Sequence, residues 1–264
     1  MKIIVCVKVV LDPEAPASLF KVDSEAKKVI PPKGTPPVLN PFDENALEAA
    51  LKIKDSKGAA ITVLSMGKNI PKPVIRKSLA TGADNLVLLD DAAFDELDSY
   101  TTACILATAI KKIGTYDLIL CGREAADTDA GQAGLGIAEI LGIPSISLAS
   151  KIEASANGLR VERVVADGYE ALEIPLPALI TVSSEAGNLR TASITGIMAA
   201  QKKPLTTWNA AELGISQPQV KKTALHKLSQ PVRETKCEMI TGINPEEIAI
   251  NLASRLKQDK KLPV

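Results

Sequence analysis

A chain of 264 residues with 46% hydrophobic and 23% charged residues can bury one large core, and its formal net charge of +0 supplies no basic field for nucleic acid. Aromatic residues make up 3% of it, too few for the stacking platforms of single-strand binders, and the one histidine, His226 in a Lys-rich stretch, leaves little material for Ser/His/Asp or Cys/His catalysis. The cysteines Cys6, Cys104, Cys121 and Cys237 show no C-x-x-C spacing, so neither a zinc site nor a small disulfide framework is signalled, and a cytoplasmic protein is expected.

The sequence opens on the apolar run IIVCVKVV at residues 3–10, too short for a membrane span and without a cleavage pattern, and reads as a strand rather than an export signal. Similar runs at 61–66, 86–89 and 118–121 do not alternate with polar residues, which predicts strands buried on both faces, a parallel sheet and crossover helices. Helices are predicted over 41–55, 73–80 and 99–113. The first has Asn40 as N-cap, Pro41 at its first position, Asp43 near its positive end and Gly58 beyond its C-terminus.

Past Pro144 the runs 159–165, 171–174 and 179–182 surround the turn Ala166-Asp167-Gly168 and predict an antiparallel hairpin added to the sheet. Beyond Ser183 comes a poorly patterned stretch, with KKP at 202–204 and QPQ at 217–219, and then an amphipathic helix predicted over 245–256. The expected division is therefore an α/β domain over 1–183, hairpin 159–182 included, and an arm over 184–264 that lies on another surface.

Segment 118–144, LILCGREAADTDAGQAGLGIAEILGIP, carries the chemistry: a strand ends at Cys121-Gly122, a polar loop follows, and a helix is predicted to start near Asp129 with Gln132 as capping-box partner. Free N–H groups and the helix dipole at such a start can hold phosphate, and Gly131, Ala133 and Gly134 let a ligand come close to the backbone. The same small residues equally suit an ordinary crossover loop that packs its helix tightly on the sheet. Neither G-x-G-x-x-G after the first strand nor G-x-x-x-x-G-K-[ST] is present. Ligands of open α/β sheets sit at the carboxyl ends of strands, which nominates Val9, Val10, Asn40, Met66, Gly67 and the 121–134 loop as parts of one crevice. Taken singly, Asn40 is better explained as a helix cap and Met66 as core filler.

Seven segments in order, IVCVKVV at 4–10, LNPFDENALEAALKIKD at 39–55, VLSMG at 63–67, LATGAD at 79–84, DLILCGREAADTDAGQAG at 117–134, LPALITV at 176–182 and LRTASITGIMAAQKKP at 189–204, resemble the β subunit of electron-transfer flavoproteins. The resemblance implies a doubly wound, mostly parallel α/β sheet, adenine-nucleotide hydrolase-like, with an added antiparallel hairpin and an extended C-terminal arm that embraces a larger α subunit. It further implies a heterodimeric electron carrier rather than a classical enzyme, with FAD shared with the α subunit, working between acyl-CoA dehydrogenase-type flavoenzymes and a downstream acceptor. By the same resemblance the crevice holds AMP, or a second FAD that accepts hydride from NADH in the electron-bifurcating branch.

GLGIAEILGIP resembles the bifurcating branch, but residues 127–132 read D-T-D-A-G-Q where that branch reads D-G-D-T-A-Q, so Ala130 replaces an expected hydroxyl and Thr128 is the nearest substitute. Asp12-Pro13-Glu14 also departs from the usual D-T, which puts AMP ahead of the second FAD. The matched motifs give Val9, Asn40, Met66 and Cys121 to base and ribose, and Asp129, Gly131, Gln132 and Ala133 to phosphate, with no catalytic residue and no metal. Residues 190–198 match the family's recognition loop, with Ile194, Ile197 and Met198 as anchors in a partner's pocket and Arg190 steering encounter; Ile194 packed under its own loop is the alternative. An ATP-dependent enzyme of the same fold would carry a glycine-rich loop within 9–14, which is absent, and a regulatory nucleotide binder would not need the arm.

Overall fold

In the computed structural model, which describes residues 1–155, 158–215, 221–231 and 237–259, a nine-stranded sheet runs through the molecule. The elements follow the chain as β1 (Lys2–Cys6), β2 (Val9–Val10), β3 (Lys21–Asp23), β4 (Lys28–Ile30), β5 (Val38–Leu39), α1 (Pro41–Lys57), β6 (Ala60–Gly67), α2 (Lys72–Ile75), α3 (Lys77–Thr81) and β7 (Asn85–Asp90). They continue as α4 (Ser99–Ile113), β8 (Leu118–Gly122), α5 (Ala133–Leu141), β9 (Ser145–Ser155), β10 (Gly158–Val165), β11 (Gly168–Ile174), β12 (Ala178–Val182), α6 (Ile194–Ala200), β13 (Leu205–Trp208) and α7 (Pro245–Gln258). The QPQ at 217–219 lies outside the described residues.

Strand order is β11-β10-β9-β12-β8-β1-β6-β7-β13, parallel from β9 to β13, with β10 and β11 antiparallel at one edge. The central strands lack alternation because both faces are covered. Ile3, Val5, Ile61 and Val63 pack under α1, α3 and α6, while Ile4, Leu64, Ile119 and Leu179 pack under α4 and α5. The chain steps outward from β1 to β6 and β7, then returns to β8 on the opposite side of β1, so the topological switch lies between β1 and β8.

Three departures from the expected elements have local causes. Residues 179–182 belong to no hairpin: β12 runs parallel between β8 and β9, since all five of its residues are buried and only a central strand covers both faces. The antiparallel part is β9, β10 and β11, and β9 is long enough, at 11 residues, to pair with β12 at its start and β10 at its end. The helix over 73–80 is two short helices that meet at Arg76, whose guanidinium donates to the Ala200 carbonyl at 2.8 Å.

Beyond Ser183 the chain still contributes to the sheet. β13 pairs with β7, and the structure divides into Met1–Leu228 and Ser229–Val264. In the second unit α7 starts at Asn244, whose side chain accepts from the Glu247 N–H at 2.9 Å, and Arg255 pairs with Glu238 at 2.9 Å. This helix buries none of its residues, and Met239, Ile243, Ile250 and Leu252 stand exposed.

Candidate functional site

The carboxyl ends of β1 and β8 come together through the first turn of α1. Asp43 sits there because Pro41 starts the helix directly after β5, and its carboxylate accepts from the Lys8 N–H at 2.7 Å and from the Gly122 N–H at 3.0 Å. One side chain thus bridges both sides of the switch point. Burial pushes its pKa up to about 7, against the pull of the Lys8 and Gly122 N–H groups, the Asn40 side chain and the Lys8 ammonium. Gly122 has to be glycine: a Cβ there would lie 2.5 Å from Asp43 Oδ1 and from the Phe42 carbonyl carbon.

Asn40 occupies the N-cap position of α1 but makes no side-chain cap bond. Its amide Nδ2 donates to the Glu124 carbonyl at 2.8 Å, and its Oδ1 accepts from the Ala126 N–H at 3.0 Å, so a side chain only 1% exposed clamps the loop after β8. Lys8 holds the same loop from the other side through Asp127 at 2.7 Å. Asn40 therefore acts on the loop, where a capping role was expected, because both ends of its amide find backbone partners there.

The other nominated residues surround this junction. Val9 pairs with Leu39 directly before Asn40. Cys121, at the end of β8, lies beside Cys6 at the end of β1, and the hydrogen bond with Cys6, followed by burial, pushes its thiol well up. Met66 is half-buried against the same cluster as Cys121, at the end of β6. Next to it the Ser65 hydroxyl, 1% exposed, finds no hydrogen-bond partner among the described residues.

The helix expected near Asp129 begins at Ala133, with Gln132 at the N-cap and no capping box. Asp129 and Gly131 have φ of 47° and 61°, left-handed backbone that a helix cannot include. Nine residues of α5 then follow, with no side-chain cap and no acidic residue in the first turn. Gly134 lacks a side chain for packing: a Cβ would lie 3.0 Å from Thr181 Cγ2 and 3.3 Å from Cys121 Cβ. The resulting arrangement is an uncapped, positively polarised helix start beside two strand ends, able to hold an anionic group by backbone N–H donors.

The second nominated group splits. Ile194, Ile197 and Met198 on α6 are 79%, 50% and 68% exposed, so Ile194 is not packed under its own loop. Ser193 caps this helix by accepting from the Gly196 N–H at 3.0 Å, and Gly196 lies against Ala80 of α3, where a Cβ would come within 2.5 Å of the carbonyl oxygen. Arg190 is no free charge: its guanidinium pairs with Glu48 at 2.9 Å and Asp55 at 2.8 Å. Both acids lie on α1, and the hydrogen bonds to Glu48 and then Asp55, with their charge, raise its pKa further above the ordinary range.

Lys8, Asp43, Ser65 and Glu48 were not singled out from the sequence for these contacts. A carboxylate in a helix's first turn suggests dipole pairing, and nothing local shows that it reaches two strand ends from elsewhere in the sheet. Among the described residues no helix is long and apolar enough to cross a membrane, and no group of three or more His, Cys, Asp or Glu is arranged to hold a metal ion.

Comparison with known proteins matches residues 29–213 to the electron transfer flavoprotein domain. The chain is 38% identical to the caffeyl-CoA reductase-Etf complex subunit CarD of Acetobacterium woodii, over 98% of each chain. It is also 38% identical to the electron transfer flavoprotein subunit beta of Thermoanaerobacterium thermosaccharolyticum, over 97% of this chain and 98% of that one. Protein FixA of Rhizobium meliloti is 32% identical over 98% of this chain and 92% of its own length.

Proposed function

Since the chain belongs to the electron transfer flavoprotein family and matches its beta subunits over nearly its whole length, we propose that it binds an adenine nucleotide at the β1–β8 switch and pairs with an α subunit to carry electrons. The observation that carries the nucleotide reading is the uncapped start of α5, set beside two strand ends that Asp43 holds together while Asn40 clamps the loop after β8. The residues fit such a ligand. N–H groups of Gly131, Gln132 and Ala133 meet phosphate, with Asp129 on the rim, while Val9, Asn40, Met66 and Cys121 surround base and ribose. The orphaned Ser65 hydroxyl adds a buried polar group in want of a partner at the end of β6.

The flavin shared with the α subunit supplies the redox chemistry when bound. This chain's own residues bind, orient and exclude water: Lys8 and Asn40 fix the loop over the crevice, and the apolar ends of β1, β6 and β8 form its floor. Ile194, Ile197 and Met198 dock on an acyl-CoA dehydrogenase-type flavoenzyme, offering exposed apolar anchors on a short helix seated on α3. The bare helix of the second unit, with its exposed Met239, Ile243, Ile250 and Leu252, suits an arm that the α subunit covers.

AMP is the nucleotide expected in the crevice, because Ala130 stands where the second-FAD branch has a hydroxyl. A second FAD is the other reading, favoured by similarity over 98% of the chain to a subunit whose name places it in a caffeyl-CoA reductase complex. Co-expression with an α subunit, followed by acid extraction and chromatography of the released nucleotides, decides between them. One flavin and one AMP per heterodimer are expected. Two flavins establish the second reading, and a heterodimer holding no adenine nucleotide at this subunit overturns both.

A further inference from the structure

Helix α1 does two jobs at its two ends. Its first turn holds the crevice, and the face carrying Asn45, Glu48, Lys52 and Asp55 holds residues 186–190, the segment that leads into the docking helix α6. Asn45 Nδ2 donates to the Gly187 carbonyl at 2.8 Å and Lys52 Nζ to the Ala186 carbonyl at 2.7 Å. Glu48, only 6% exposed, takes the Arg190 backbone N–H at 3.0 Å, Arg190 Nε at 3.0 Å and Arg190 Nη2 at 2.9 Å. Asp55 takes the remaining Nη1 at 2.8 Å. These four residues follow at i, i+3, i+7 and i+10, one face of an α-helix.

We infer that Glu48 is a positioning residue for docking: through Arg190 it fixes the root of the 190–198 segment and so aims Ile194, Ile197 and Met198 at the partner flavoenzyme. This rests on the docking reading given above. A buried carboxylate that accepts one backbone and two guanidinium N–H bonds leaves Arg190 a single orientation, and a bidentate fork restricts rotation more than a point charge can. Ser193, three residues on, starts α6, whose seat against Ala80 tolerates no Cβ at Gly196, so a shift at Arg190 cannot be absorbed by sliding the helix. Arg190 therefore serves the chain's own geometry, and the approach to the partner depends on apolar anchors held ready.

The test uses the heterodimer with short-chain acyl-CoA dehydrogenase as electron donor. Glu48→Gln removes the charge and one acceptor, and should raise KM for the dehydrogenase about tenfold while kcat changes less than about twofold. Arg190→Gln should do the same, and the double variant should be no worse than either single one, because both act through one contact. Independent additive effects, or an unchanged KM in Glu48→Gln while Ile194→Ala raises it, would overturn the inference.

Amide hydrogen exchange on the same heterodimers supplies a readout that does not need the dehydrogenase. Glu48→Gln should speed exchange across 187–198 about tenfold and leave the crevice loop 122–134 unchanged. Acceleration of both regions would mean a general loss of stability and would sink the positioning role. Unchanged KM in both Glu48→Gln and Ile194→Ala would count against the docking reading itself, and exchange would still decide whether Glu48 holds the segment.

Discussion

Replacing Asp43 by asparagine separates the cost of burying its charge from the bonds it makes. The folded protein holds this carboxyl at about 7 where 3.8 is ordinary, so between those values the folded state carries a proton that the unfolded state has lost. Stability contributed by the protonated group is fully present below pH 4 and is lost as pH rises toward 7. Three pKa units correspond to about 4 kcal/mol. Aspartates such as Asp98, whose carboxylate is held below the ordinary range by N–H and hydroxyl donors, push the other way but are common to both proteins. The unfolding free energy of Asp43→Asn relative to wild type should therefore climb in the variant's favour by about 4 kcal/mol from pH 4 to pH 8. Its offset at low pH should be about 1–3 kcal/mol unfavourable, because an amide cannot accept from both the Lys8 and Gly122 N–H groups. Trp208, the one tryptophan, packs in the same unit with the Lys112 ammonium 4.6 Å above its ring, and its fluorescence in urea titrations of the heterodimer reports unfolding there. A flat or falling difference would show that the two N–H bonds outweigh burial, and the reasoning would be wrong.

Asn40→Ala should cost about 1–3 kcal/mol and lower the AMP recovered from purified heterodimer, since it orphans the Glu124 carbonyl and the Ala126 N–H. Full nucleotide content would show that Lys8 and Asp127 hold the loop unaided. Ile194→Ala should slow electron delivery roughly tenfold in stopped-flow mixing with the dehydrogenase, with nucleotide retained. Expressed without an α subunit, the chain should be poorly soluble or flavin-free, because Met239, Ile243 and Ile250 stay uncovered; a well-behaved, flavin-loaded monomer would contradict this.

Much of this protein was legible in its residues. The unbroken apolar runs at 61–66, 86–89 and 118–121 became β6, β7 and β8, and the helix predicted over 99–113 is α4 residue for residue, because its Asp98 cap and apolar stripe are local signals. The collinear motifs identified the family. What the residues could not show are contacts made by polar side chains between elements distant in sequence. Asn40 looked like a helix cap and reached the loop 84 residues on; Arg190 looked like a free surface charge and is pinned by Glu48, 142 residues away. Residues 179–182 looked like the end of a hairpin and became a central strand, since which neighbour a buried strand takes is decided by the sheet it joins. Sequence alone determined which segments bury themselves and the bounds of helices with clear local caps such as α4, for those depend on nearest neighbours, whereas α5 starts at Ala133 and the helix over 73–80 divides at Arg76. Only the folded sheet decided which polar groups meet at the β1–β8 switch, because strand order brings them together and no periodicity encodes it.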